Sequence, residues 1–334
     1  MSTELERTPA AQMPVVAAPA GVDGIAVTAR TQGQLVRRRF LRHRAAIAGM
    51  VTLLFVIVVA YSSIGFGPIP GWWDKSYVST GPVIDGGRPT LSVVPQFLGG
   101  DGIRLGEHPF GQDNVGKDYF ALVMRGTQRS LVVAFLIGIV VTVVGTLVGA
   151  LAGFFRGRVE GVLMRLTDTM IAIPTLIFAA VLAAVARGTG NIVVLGVVLG
   201  LVTWTGLARL VRGEFLSLRE KEFVEAARAV GTSSKRIIYK HILPNTVSVI
   251  IVTATLAVAA GILLETALSF LGLGVQPPDV SLGSLVSQYQ TAFQSRPWLF
   301  WWPGLFIVAI ALSVNFIGDG LRDAFDPRQT RVRA

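Results

Sequence analysis

The strongest constraint in this sequence is a set of long apolar runs that carry almost no charge. The run 131–155, LVVAFLIGIVVTVVGTLVGALAGFF, has no charged residue. A helix needs about 20 such residues to cross the hydrocarbon core of a bilayer. A soluble core has no use for runs of that length repeated along the chain. Six spans can be drawn, near 45–66, 131–155, 162–185, 192–210, 247–271 and 298–317. Lone helices satisfy all their backbone groups within lipid. The expected fold class is therefore an all-α membrane protein with six transmembrane helices. Composition agrees: 15% of the residues are charged, against roughly 25% in soluble domains.

The net charge of +10 follows from where Lys and Arg fall. Arg37, Arg38, Arg39, Arg42 and Arg44 precede the first span, and Arg156, Arg158 and Arg165 follow the second. A series from Arg209 to Lys240 follows the fourth span, and Arg322, Arg328, Arg331 and Arg333 follow the sixth. The short alternate loops contribute only Arg187 and Arg296. Cytoplasmic loops collect basic residues, so both termini are expected inside a plasma membrane and 67–129 outside. Residues 1–44 read as a largely disordered cytoplasmic tail ending in a basic juxtamembrane segment, and 323–334 as a second tail. The first apolar run is long enough to span, so no signal peptide is expected. The absence of Cys rules out disulfides and thiolate chemistry.

Several motifs invite chemistry and lose it on inspection. Residues 111–118, GQDNVGKD, fit a phosphate loop except that Asp118 stands where Ser or Thr must hold Mg²⁺. RRRFLRHR at 37–44 could bind nucleic acid. A span begins at its edge, so topology and contact with anionic membrane lipid explain it better, and no nucleic-acid partner is expected. His43, His108 and His241 are scattered and form no metal constellation. Asp168 lies near the end of the third span, where water or Arg165 can satisfy it. Pro174 must interrupt that span's hydrogen-bond ladder; the kink can serve packing, line a cavity, or do both. Glu265, in GILLETALSF, is a charge inside a span. It either meets a translocation path or hydrogen-bonds a neighbouring helix. A single such acid makes no proton relay, which weighs against a stand-alone secondary carrier.

One polar island interrupts this pattern: EFVEAARAVGTSSKRIIYKHILPN at 222–245. A first helix is expected over 221–230, with Phe223, Val224, Ala227 and Val230 on one side. Gly231 supplies the left-handed stop. Thr232 or Ser233 is expected to cap a second short helix, which Pro244 ends before the fifth span.

These residues carry a resemblance. Glu225, Ala226, Ala227, Gly231, Leu243 and Pro244 match the EAA loop, here at 217–244, of permease subunits of ATP-binding-cassette importers. His241 stands where the pattern has Ile. HPFGQDNVGKDYFALVMRGTQRSL and ETALSFLGLGVQPP resemble the C-type subunits of dipeptide and oligopeptide permeases, a group that includes nickel permeases. The likeness covers about 35–328, and one departure is the lack of a Trp near Leu282. It implies a type I importer (MetI-like) permease fold, with the permease domain at 130–322. The implied substrates are dipeptides or short oligopeptides, with nickel as the rival. The implied partners are a second homologous permease subunit, two ATPase subunits and an extracytoplasmic peptide-binding protein. The implied coupling residues are Glu225, Ala226, Ala227, Gly231, Leu243 and Pro244; Glu265 and Pro174, from the reading of the spans, are the candidates for the translocation path. The chain is expected to bind no cofactor and catalyse nothing itself, with ATP and Mg²⁺ held by the ATPases.

Overall fold

A computed structural model describes residues 32–92, 102 and 104–326. The expectations for 1–31 and 327–334 lie outside the described residues. Among those residues the chain is helical, with isolated bridges in place of strands. The helices are α1 (Gln32–Phe40), α2 (Arg44–Ser63), α3 (Tyr119–Phe155), α4 (Arg158–Ala172), α5 (Thr175–Arg187) and α6 (Ile192–Thr203). They continue as α7 (Thr205–Leu218), α8 (Glu222–Ala229), a single turn α9 (Ser234–Arg236), α10 (Leu243–Phe270), α11 (Leu282–Tyr289) and α12 (Trp298–Phe325).

Four unbroken helical stretches are long and apolar enough to cross a membrane: Arg44–Ser63, Tyr119–Phe155, Ser234–Phe270 and Trp298–Phe325. Two bent pairs, α4 with α5 and α6 with α7, bring the total to six if each pair is one span. The interruption at Pro174 is a 92° break between α4 and α5, larger than a kink. A proline disfavours helical backbone in the residue before it, and Ile173 is extended (φ −84°, ψ 128°). α4 is then held across the bundle by charge. Arg209 bonds Asp168 at 2.5 Å, and Arg212 bonds Glu160. Asp168 therefore pairs with Arg209 on α7; Arg165 is on its own helix.

The second island helix also differs from expectation. Ser233 sits at the N-cap position of α9 without a side-chain cap bond. The chain then runs through a π-helical stretch, Ile237–Ile242, directly into α10. Pro244 does not end this helix. It lies in the first turn of α10, just past the π-helical stretch whose last bond runs from Leu243 N to the Ile238 carbonyl. The island thus contributes one separate short helix and one rigid extension of the fifth span.

α3 is the axis of the bundle, packed against α7, α6, α10 and α2. Its contact with α7 runs along Gly145, Gly149 and Gly153. A methyl on Gly149 would sit 2.5 Å from the Ala208 carbonyl, and one on Gly153 would sit 2.5 Å from Phe215 Cβ. Lipid drives no hydrophobic association between helices, so close backbone approach through small residues supplies the packing. The outer faces of the bundle remain apolar: Leu54, Phe55, Val143 and Leu147 are all more than half exposed.

Two apolar clusters divide the molecule. One joins α3, α5, α6 and α7 to the island through Phe154, Phe215, Val224, Ile237 and Ile242. The other joins α2, the start of α3, α11 and α12 to the 67–118 segment through Phe110, Tyr119 and Leu299. The first reaches the island end of the bundle, and the second lies under the cap formed by that segment.

Candidate functional site

The island end is built on α8. Val224 is fully buried and Ala227 nearly so, both within the cluster that contains Phe154 and Phe215. Phe223 and Val230, expected on the same apolar side, are instead 41% and 81% exposed. Two residues one turn apart therefore rivet the helix, and the rest of its surface is open. Glu222, Glu225, Ala226 and Arg228 are exposed, and the Glu225 side chain makes no ion pair among the described residues.

The helix stops as its sequence requires. Gly231 has φ +76°, and Thr232 N donates to the Ala227 carbonyl at 3.0 Å while Gly231 N donates to Arg228 at 2.9 Å. This is the Schellman stop that a residue without Cβ adopts at least cost. Beyond it, Ile237, Ile238 and Ile242 are buried, so the extension of α10 is seated on the same cluster. Leu243 packs partly into it, and Pro244 is exposed. Arg219 fixes the other approach by donating to the Phe154 carbonyl at the end of α3, 2.6 Å away. Glu220 bonds Arg156 at 2.8 Å. The outcome is a short, stiff helix anchored to three spans, with charged and apolar side chains facing outward.

Glu265 lies elsewhere, inside the bundle and fully buried. Ser269 Oγ donates to its Oε1 at 2.6 Å and Ser130 Oγ to its Oε2 at 3.2 Å. Ser130 Oγ in turn accepts Leu282 N at 3.1 Å, the first N–H of α11. Ser281 and Ser284 complete a capping box there. One carboxylate thus ties α3 and α10 to the start of α11. Pro174 is exposed at the α4–α5 break, and the structure does not bring it together with Glu265.

The phosphate-loop look-alike proves to be the keystone of the cap. Asp113 Oδ1 accepts Val115 N at 2.9 Å and Lys117 N at 2.8 Å. The backbone donors that would cradle a phosphate are therefore spent on an internal carboxylate. Asp113 Oδ2 accepts Tyr289 Oη at 3.0 Å. Burial and the Asp113 charge push the Tyr289 phenol well above its ordinary range, so it remains the donor. Asp118 caps α3 through Ala121 N at 2.8 Å and accepts Trp73 Nε1 at 3.0 Å. Its Oδ2 lies 2.7 Å from His108 Nδ1. Trp73 and Trp302 turn inward. Trp302 stacks on Phe110 with centroids 3.9 Å apart.

Sequence reasoning missed two features here. Arg125 and Arg129 both grip Asp279, at 2.7 and 2.9 Å, clamping the α10–α11 connection onto α3. The glycine face of α3 was also missed, although GTLVGALAG spells its four-residue spacing.

Comparison with known proteins identifies the architecture. Residues 145–331 match the model of the binding-protein-dependent transport system inner membrane component. Residues 31–70 match the N-terminal transmembrane domain of oligopeptide transport permease C. The chain is 38% identical over 299 residues to the oligopeptide transport system permease protein OppC of Mycobacterium tuberculosis H37Rv, covering 90% of this chain and 96% of that one. It is 40% identical over 306 residues to the Escherichia coli K12 protein of the same name, covering 90% and 93%. Among solved structures, a chain of the methionine ABC transporter MetNI in an inward-facing conformation aligns with a TM-score of 0.51. It is 21% identical and covers 61% of this chain and 96% of that chain, which gives the fold alone. With MetI-like architecture, membrane-length apolar helices and these relatives together, the chain belongs to the family of inner-membrane permease components of binding-protein-dependent ABC transport systems.

Proposed function

We propose that this permease carries dipeptides or short oligopeptides inward and receives the work for it through the EAA loop. The observation that carries the coupling half is the shape of α8. Two buried residues fix it to the bundle, and Glu225, Ala226 and the Gly231 turn are left uncovered. An exposed helix that is rigidly seated and ends in a sharp stop can pass a push to α10, because the next segment runs into α10 without a break. Glu225 makes a charged contact with the ATPase; Leu243 and Pro244 begin the lever. Two ATPase subunits supply ATP hydrolysis and hold Mg²⁺, and this chain performs no catalysis. A second, homologous permease completes the pathway, and an extracytoplasmic peptide-binding protein delivers cargo to the cap end. Both termini then lie in the cytoplasm.

Support for peptide cargo comes from the relatives named for oligopeptide transport, which are matched along nearly their whole length. Of the two roles open to Glu265, its contacts favour the tie between helices, so it acts on the path by positioning α11 against α3.

The test is reconstitution of the chain with its partner permease, ATPases and binding protein in vesicles. Uptake of labelled di- to pentapeptides should require ATP, and nickel should not be taken up. Glu225→Lys should leave the complex assembled and ATP hydrolysis running while peptide uptake is lost. Uptake that persists in vesicles lacking the ATPases would overturn the importer reading. Normal uptake by Glu225→Lys would overturn the role given to the loop.

A further inference from the structure

Helix α1 has two unlike sides. One docks on the end of α12: Arg39 Nη1 donates to the Asp326 carbonyl at 2.9 Å, and His43 Nε2 lies 3.3 Å from Asp323 Oδ2. Gly320 of α12 lets this approach happen, since a methyl there would meet Ala46 and the Phe40 ring. The other side is open. Arg37, Arg38, Arg42 and Arg44 are exposed, and none of the four guanidinium groups bonds or pairs with another residue of the described chain. Leu35 and Leu41, 38% and 52% exposed, lie among them.

Helix electrostatics explains only part of this. Cations in the last turn of α1 suit its dipole, which accounts for Arg37 and Arg38. Arg44 stands at the opposite kind of position, the first residue of α2, where the dipole disfavours a cation and favours an anion. Four neighbouring cations without a counter-charge among the described residues also repel one another. The place where they gather is defined. α2 is a 20-residue apolar span beginning at Arg44, about one bilayer crossing, so Arg42 and Arg44 stand at headgroup depth. Long cationic side chains interleaved with exposed Leu are what an in-plane interfacial helix presents.

We propose that α1 and the start of α2 form a binding site for the phosphate headgroup of an anionic phospholipid. Arg37, Arg38, Arg42 and Arg44 supply the charge-assisted donors, and Leu35 and Leu41 rest among the upper acyl carbons. Guanidinium groups bond phosphate oxygens in pairs, and the dipole of α2 adds to the attraction. Because Arg39 and His43 fasten α1 to α12, the bound lipid also holds the far end of the last span in place.

The test uses the full-length chain in a neutral detergent, with phosphatidylglycerol or phosphatidylethanolamine added and retained lipid counted by native mass spectrometry. Wild type should keep phosphatidylglycerol in preference. R37Q/R38Q/R42Q should keep it on the order of ten- to a hundredfold less well, whereas R37K/R38K/R42K should keep most of it. Arg187→Gln, far from the site, should match wild type, and all variants should give the same helical circular dichroism. Equal retention by wild type and the Gln variant would overturn the proposal. So would equal retention of the two lipids, an equal loss in Arg187→Gln, or full displacement by millimolar inorganic phosphate, which would mark a free-anion site.

Discussion

The two ends of the bundle use polar residues in opposite ways. At the cap end, Asp113, Asp118, Gln112 and His108 are buried, and each spends its hydrogen-bonding groups on this same chain. At the island end, Glu222 and Glu225 face outward beside exposed Phe223 and Val230. A buried polar group must find its partner within the fold or destabilise it. An exposed charge next to exposed apolar surface is free to serve another molecule. Among the described residues these buried polar groups of the cap are satisfied within the chain, and the α8 surface is left uncovered.

That contrast can be broken by substitution. Asp118→Ala should be the most damaging to the folded state. It leaves the Trp73 indole N–H, the α3 cap and His108 without their shared acceptor. The expected loss is about 3 kcal/mol, seen as a large fall in the thermal unfolding midpoint in detergent. A midpoint near wild type would mean that the cap is not self-sufficient. Gly149→Val should follow at about 2 kcal/mol, because the branched side chain drives α7 off α3. Its readout is the loss of cross-linking between cysteines introduced on facing turns of those helices.

Glu265→Ala should cost about 1–2 kcal/mol by removing the acceptor shared by Ser269 and Ser130 and loosening α11. Limited proteolysis of the α10–α11 connection checks it, and an unchanged cleavage rate would remove Glu265 from the tie. Gly231→Ala should lose about 1 kcal/mol, since an L side chain at φ +76° is strained. Here uptake should fall further than the melting temperature does. Glu225→Lys marks the bottom of the series: no resolvable change in melting temperature, yet loss of coupled transport in the reconstituted system. If it melts early, Glu225 belongs with the cap residues and the contrast between the two ends fails.

Some features were legible from the residues because their physics is local. Runs such as 131–155 announce helices in lipid without any knowledge of neighbours, and Gly231 announces its turn. Pro174 announced an interruption, but not its size, a 92° break between α4 and α5. Pro244 misled because a proline that ends one helix and a proline that begins another look alike in sequence. The π-helical approach decided between them.

The inward face of each span was the harder question. In a soluble helix, polar residues mark the outer face. In lipid both faces are apolar, so periodicity cannot say that Gly145, Gly149 and Gly153 turn toward α7 while Leu147 turns away. The long-range partners were equally hidden: Asp113 meets Tyr289 across 176 positions and Glu265 meets Ser130 across 135.

Sequence alone thus determined a helical membrane protein, its apolar spans, its polar island and its family resemblance, because each rests on composition or spacing within a single segment. Only the tertiary structure decided that the phosphate-loop look-alike is a structural brace and that Glu265 is tied on every side. It likewise decided that α8 stands clear while its continuation merges with α10. Those outcomes depend on which distant donor reaches which acceptor, and that is settled when the helices pack.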